Sequence, residues 1–192
     1  MNQKEFCTAT ISVARLLEHY VEPERLKERC GSCPKYGKDP ACPPHDFDVA
    51  AFWQKFSCLE LHVLRIPAEA SWEDADRQLS DRLKELERTM PGSLCLSSGG
   101  GAGDGLLRHS IQALGGNVEK LCRDLLGISL QWAQDGKMPE QLTLVGGLLR
   151  KTGGTEAGAP NGDNEALPPE GTDHRPAQDH TGKAQGEAQE DV

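Results

Sequence analysis

Three of the seven cysteines of this 192-residue chain fall within thirteen residues, in Cys30-Gly-Ser-Cys33-Pro-Lys-Tyr36-Gly37-Lys-Asp-Pro-Ala-Cys42-Pro43-Pro44. A two-residue gap folds the sulfurs of Cys30 and Cys33 toward one point, and Cys42 brings a third after an eight-residue loop. Three thiolates suit two chemistries. Zinc accepts them with a histidine or a fourth cysteine. An iron–sulfur cubane can be held by three cysteines, with one iron left open. The candidate ligand set is Cys30, Cys33, Cys42 and Cys95, with His45, Cys58 and Cys7 as alternatives for the fourth place. The plainer alternative is a set of ordinary cysteines in an irregular loop.

Pro34, Pro40, Pro43 and Pro44 fix backbone angles here, and Gly31 and Gly37 permit tight turns. No regular helix or strand is expected through such a segment. It buries few apolar side chains, so ligand bonds are expected to supply the order that a core would otherwise give. A competing chemistry uses the same atoms, because Cys30-Gly-Ser-Cys33 also has the spacing of a thiol–disulfide redox pair. Such pairs follow a buried strand and open a helix. Here charged residues from Glu24 to Arg29 precede the pair, and Pro34 and Tyr36-Gly37 follow it. Of the other cysteines, Cys122 sits on a helical apolar stripe and Cys58 begins a strand, which makes both packing residues. Cys7 lies near the N-terminus and is uninformative.

The elements that must position this loop are read from periodicity and caps. Val13, Leu16, Leu17 and Tyr20 have helical spacing over 12–20. A short helix is expected over 22–29, with Pro23 in its first turn. Asp48 caps another over 49–56, which places Phe52, Trp53 and Phe56 on one side. Cys58 to Ile66 alternates as a half-buried strand. Ser71-Trp-Glu-Asp74 resembles a capping box for a helix whose stripe is Trp72, Leu79, Leu83, Leu86 and Met90, stopped by Pro91-Gly92. Residues 93–97 read as a strand. Asn117 and Gly127 bracket a helix carrying Val118, Leu121, Cys122 and Leu125. Residues 128–132 and 141–145 read as two more strands, joined by a turn at Asp135-Gly136-Lys137. The sum is an α+β domain over 1–150, with α/β as the alternative: a small mixed sheet of about four strands packed with five helices.

Hydrophobic residues make up 36% of the chain, and the deficit is concentrated in 151–192. That stretch has no aromatic residue, and its only large aliphatics are Leu167 and Val192. It cannot bury enough apolar surface to offset the entropy of ordering, so a disordered acidic Gly/Pro-rich tail is expected. Nine acidic against three basic residues give it −6 of the net −9. Neither part offers the clustered Lys and Arg that nucleic acid requires, so no nucleic-acid partner is expected. No apolar run is long enough to span a bilayer and no targeting segment is evident, so a soluble, cytoplasmic protein without a membrane partner is expected. Cysteines stay reduced in that compartment, which favours metal binding over disulfides.

The motifs in order are Cys30-x2-Cys33-x2-Tyr36-Gly37-x4-Cys42-Pro43-Pro44, Asp46-Phe47-Asp48, Pro91-Gly-Ser-Leu-Cys95-Leu and Arg108-His109-Ser110-Ile111-x-Ala113-Leu-Gly115. Ile128-Ser-Leu-Gln-Trp132 and Leu142-Thr-Leu-Val-Gly-Gly-Leu-Leu149 complete them. Over residues 5–150 the chain resembles a family of predicted metal-binding proteins of bacteria and archaea whose biochemical role is undefined. The resemblance implies a metal or cluster on Cys30, Cys33 and Cys42. Relatives carry a second, ferredoxin-like cysteine group after the Cys95 strand. Here that place holds Ser97-Ser-Gly-Gly-Gly-Ala-Gly-Asp-Gly105, so those ligands do not carry over. The glycine run does not fit a dinucleotide fingerprint, nor is it followed by Gly-Lys-Ser or Gly-Lys-Thr, and it reads as a connector. Arg108 and His109 lie where an anion could bind, or are a solvated pair.

These readings leave a metal-binding protein holding zinc or an iron–sulfur cluster, with a protein partner open. The alternative is a redox enzyme or electron-transfer partner that uses the cluster or the Cys30/Cys33 pair. A third reading is a structural zinc loop in an adaptor. No paired-carboxylate site, Ser-His-Asp arrangement or zinc-helix motif is present, and His109 is the one histidine with a catalytic claim to test.

Overall fold

The computed structural model describes residues 4–24, 30–99, 106–131 and 139–151, all within a compact unit spanning Met1–Gly154. The expected tail over 151–192 lies outside the described residues beyond Lys151. Most of the expected helix over 22–29, the glycine connector from Gly100 to Gly105 and the turn at 135–137 also lie outside them.

The α+β expectation holds, and the α/β alternative falls away because every ladder of the sheet is antiparallel. Four strands, β1 (Glu5–Ser12), β2 (Cys58–Pro67), β3 (Leu94–Leu96) and β4 (Gln141–Arg150), lie in the order β1-β2-β4-β3. The one parallel pairing among the described residues is an isolated bridge between Ser97 and Ser110. Four helices among the described residues accompany the sheet: α1 (Val13–His19), α2 (Val49–Trp53), α3 (Trp72–Thr89) and α4 (Val118–Leu126).

The capping residues read from sequence do what their chemistry allows. Asp48 Oδ1 accepts from Ala51 N–H at 3.0 Å, Ser71 Oγ from Asp74 N–H at 3.2 Å, and Asn117 Oδ1 from Lys120 N–H at 3.1 Å. Each satisfies a first-turn donor that has no intrahelical partner. Gly127 ends α4 at φ +66°, a conformation glycine adopts without penalty.

The sheet is covered on both faces, so β2 is a central strand and not a half-buried one. Alternation along β2 sends Leu59, Leu61 and Val63 into one core and Leu64 and Ile66 into the other. The first core also takes Leu16, Trp53, Ile111, Leu114, Leu121 and Cys122. The second lies under α3, whose Ala75, Leu79 and Leu83 are buried. Trp72 was expected on that stripe but is largely exposed, because it opens the helix ahead of the buried turns.

One strand has no counterpart in the sequence reading, and two further expectations are corrected. Glu5–Ser12 is a strand, paired along its length with β2 from Arg65 to Cys58. Residues 128–131 form no strand; Ile128 is buried and its N–H closes onto Cys122 O after α4. β4 runs through Gly146 and Gly147 to Arg150, where 141–145 was expected. A Cβ on Gly146 would lie 2.6 Å from Leu83 Cδ1, and one on Gly147 2.7 Å from Leu59 Cδ1. The two glycines let a helix side chain and a neighbouring strand side chain approach opposite faces of one strand.

Candidate functional site

The cysteine loop is a chain of successive turns. Cys33 N–H donates to Cys30 O at 2.9 Å, Tyr36 N–H to Cys33 O at 3.0 Å, and Cys42 N–H to Asp39 O at 2.9 Å. Gly37, at φ +65°, donates its N–H to Pro43 O at 2.9 Å and closes the loop on itself. The Pro43–Pro44 peptide is cis. No helix opens at Cys33.

The loop is tied down by histidines rather than by a core of its own. His109 Nδ1 donates to Ala41 O at 3.0 Å, one residue before Cys42. His45 Nε2 donates to Ala113 O at 2.7 Å. A carbonyl only accepts, so both rings are fixed as donors at these nitrogens. The two bonds cross between the same segments, the loop end 41–45 and the stretch 109–113. The rings meet edge to face with centroids 4.9 Å apart, and Phe47 stacks on His45 at 4.8 Å. Trp53, fully buried, donates Nε1–H to Leu114 O at 2.9 Å and fixes the same stretch from α2. Ala41 and Pro43 are buried in this junction. The expectation that the loop lacks non-metal sources of order is therefore corrected.

The thiols of Cys30, Cys33 and Cys42 lie within electrostatic reach of one another. Burial pushes the Cys30 thiol up, and Cys33 raises it further. Burial also raises Cys42, followed by Asp39 and by Cys33, with Lys35 opposing and Cys30 adding. Cys33 is exposed, and the other two are half-buried. Among the described residues, no three His, Cys, Asp or Glu side chains are already arranged to hold one metal ion.

The other proposed ligands are directed elsewhere. Cys95 pairs with Leu148, and the strand pleat sends both into the core under α3. The loop is anchored on the opposite side, to the stretch carrying Ile111 and Leu114. Cys95 is 3% exposed, and its sulfur accepts from Arg108 Nη1 at 2.6 Å. Arg108, 5% exposed, also pairs with Glu87 at 2.7 Å, and Glu87 accepts from Cys95 N–H at 2.9 Å. Arg108 is thus a buried structural cation, not half of a solvated pair. Cys7 and Cys58 lie in β1 and β2, both pushed up chiefly by burial. Cys122, in the core as expected, is pushed up to about 12 by burial alone. His45 spends Nε2 on Ala113 O, so only Nδ1 remains to it as a donor atom for metal.

No family model matches the chain, and no curated protein or solved structure matches it. No helix among the described residues is long and apolar enough to cross a membrane.

Sequence reasoning missed the pairing of His45 with His109, 64 residues apart in the chain. No local signal announces it, since each histidine donates to a carbonyl in a distant segment.

Proposed function

We propose that the chain is a metal-binding protein whose Cys30, Cys33 and Cys42 thiolates hold zinc or an iron–sulfur cluster. The observation that carries the reading is the placement of all three cysteines on one closed, turn-built loop, where Cys33 bears electrostatically on both Cys30 and Cys42. In the absence of metal, burial first and the neighbouring thiols second push Cys30 and Cys42 up, which favours their protonated form. A bound cation would replace the protons and relieve that repulsion, so affinity rises with pH. The donor set is soft, which suits zinc or iron–sulfur over calcium or magnesium. The side chains have to turn inward to meet one ion, and the exposed Cys33 is the one with most room to do so. The resemblance of the motif residues implies the same site.

The raised thiols of Cys30 and Cys42 disfavour the redox alternative, which needs a depressed pKa at the attacking sulfur. That no helix begins at Cys33 removes the usual source of such a depression.

Anaerobically purified protein is expected to carry near-stoichiometric zinc or iron by elemental analysis. Cys33→Ser and Cys42→Ser should lose it, and Cys122→Ser should keep it. A brown visible spectrum assigns a cluster and a colourless metalloprotein assigns zinc. Protein that takes up neither metal after reconstitution, or loop variants that retain it, would falsify the proposal.

A further inference from the structure

We propose that the free edge of β1 pairs with β1 of a second copy of this chain, antiparallel about a two-fold axis, to make one continuous eight-stranded sheet. The two edges of the sheet differ. β3 is three residues long, and the chain just beyond it is closed by the Ser97–Ser110 bridge. β1 is eight residues long, pairs with β2 at every position from Glu5 to Ser12, and has no strand on its other side among the described residues. A regular edge of that length is a ready template for pairing. Proteins that keep such an edge single blunt it with proline, lysine or a bulge. The sequence Glu-Phe-Cys-Thr-Ala-Thr-Ile-Ser has no proline or lysine, and its register with β2 has no bulge.

The strand is self-complementary. With the axis at Ala9, Thr8 lies opposite the partner's Thr10, and Thr10 opposite the partner's Thr8. On the other face Cys7 meets the partner's Ile11, again twice. Threonine pairs and small apolar pairs are favourable cross-strand neighbours. The only charged residue of β1, Glu5, falls beyond the paired stretch and is held by Arg65 at 3.0 Å. No charge therefore opposes itself. Thr8 and Thr10 are exposed, while Phe6 at the start of the same face lies under Arg82 of α3.

Sedimentation equilibrium of the full chain, in reducing buffer, tests this directly. The wild type should sediment at twice the 20.9 kDa chain mass. Thr8→Lys with Thr10→Lys sets like charges opposite one another twice, and should weaken association roughly ten-fold or more. Thr8→Glu with Thr10→Lys sets opposite charges across the same two positions, and should restore the dimer. Both sites are exposed, and circular dichroism should show every variant folded. A wild type that stays at the single-chain mass up to about 100 µM overturns the proposal. So does a dimer indifferent to the two lysines, or a Glu/Lys variant as dissociated as the Lys/Lys one.

Discussion

Gly116→Ala is the substitution to which this fold should be most sensitive for its size. A Cβ there would lie 2.4 Å from Ile111 Cγ2 and 2.9 Å from Ile111 O. The second contact is with backbone, and no rotamer change relieves it. Gly116 N–H also donates to that same Ile111 oxygen at 2.8 Å. Opening the turn to admit a methyl therefore weakens a buried hydrogen bond, at about 1 kcal/mol. Overpacking adds about 1–3 kcal/mol. The loss of glycine's freedom in the unfolded chain returns about 0.4–1 kcal/mol. The net cost is about 1–3 kcal/mol, or a melting point lowered by roughly 3–10 °C. Gly127→Ala is the control, because its Cβ meets nothing within 4 Å and only its left-handed φ of +66° resists. That strain, about 1–2 kcal/mol, is only partly offset by the same unfolded-state gain. Urea unfolding of both variants measures the difference. A Gly116→Ala protein within about 0.5 kcal/mol of wild type, or one more stable than Gly127→Ala, refutes the reasoning.

Two further outcomes follow from the cores. His62 is fully buried in β2, and burial lowers its pKa from 6.5 against the opposing pull of Glu60, with Arg82 lowering it further. A base whose folded pKa is depressed stabilises the fold fully above its unfolded value and loses that contribution as pH falls below it. Stability should therefore decline below about pH 6.5, and His62→Gln should show a shallower decline in urea titrations; identical slopes would remove His62 from the account. Cys122, pushed up to about 12, should resist iodoacetamide at pH 8 until denaturant is added, while the exposed Cys33 reacts in the native state. Peptide mass spectrometry reads the order, and early labelling of Cys122 would contradict its burial.

What was legible in the sequence was whatever a single element decides alone. Ser71, Asn117 and Asp48 announced three helix starts because a cap is a contact within four residues. The stripes of α3 and α4 announced which face is buried, because the helical period is local. What required a partner was not legible. β1 escaped because its inward residues, Cys7, Ala9 and Ile11, are small or mid-sized and alternate with threonines, a faint pattern for a strand. Residues 128–131 have the apolar content of a strand, but Ile128 turns its N–H back onto Cys122 O and is buried after α4. Gly146 and Gly147 looked like the end of a strand. They are where β4 thins to admit Leu83 from one side and Leu59 from the other. Cys95 was grouped with the loop because it lies on a motif; the parity of its pairing with Leu148, which turns it to the other face, depends on a register no short stretch contains.

The anchoring of the loop changes what a metal would do for it. Proline and glycine content suggested a segment that ligand bonds must order. The structure instead supplies order through turn hydrogen bonds, the crossed His45 and His109 contacts and the burial of Ala41. Each of those bonds contributes about 1 kcal/mol, and none uses a sulfur. A metal site on this loop would be mounted on an existing scaffold and not created by its ligand. Metal affinity and global stability should then be separable. Cys33→Ser should abolish metal content with little effect on the unfolding midpoint, because Cys33 is exposed and its backbone bonds survive the change. His109→Ala should do the reverse in part: it releases the Ala41 carbonyl beside Cys42 and costs stability whether or not metal is bound. That asymmetry distinguishes a thiolate site mounted on a preformed loop from a loop that folds around its metal, where both substitutions would lower stability together.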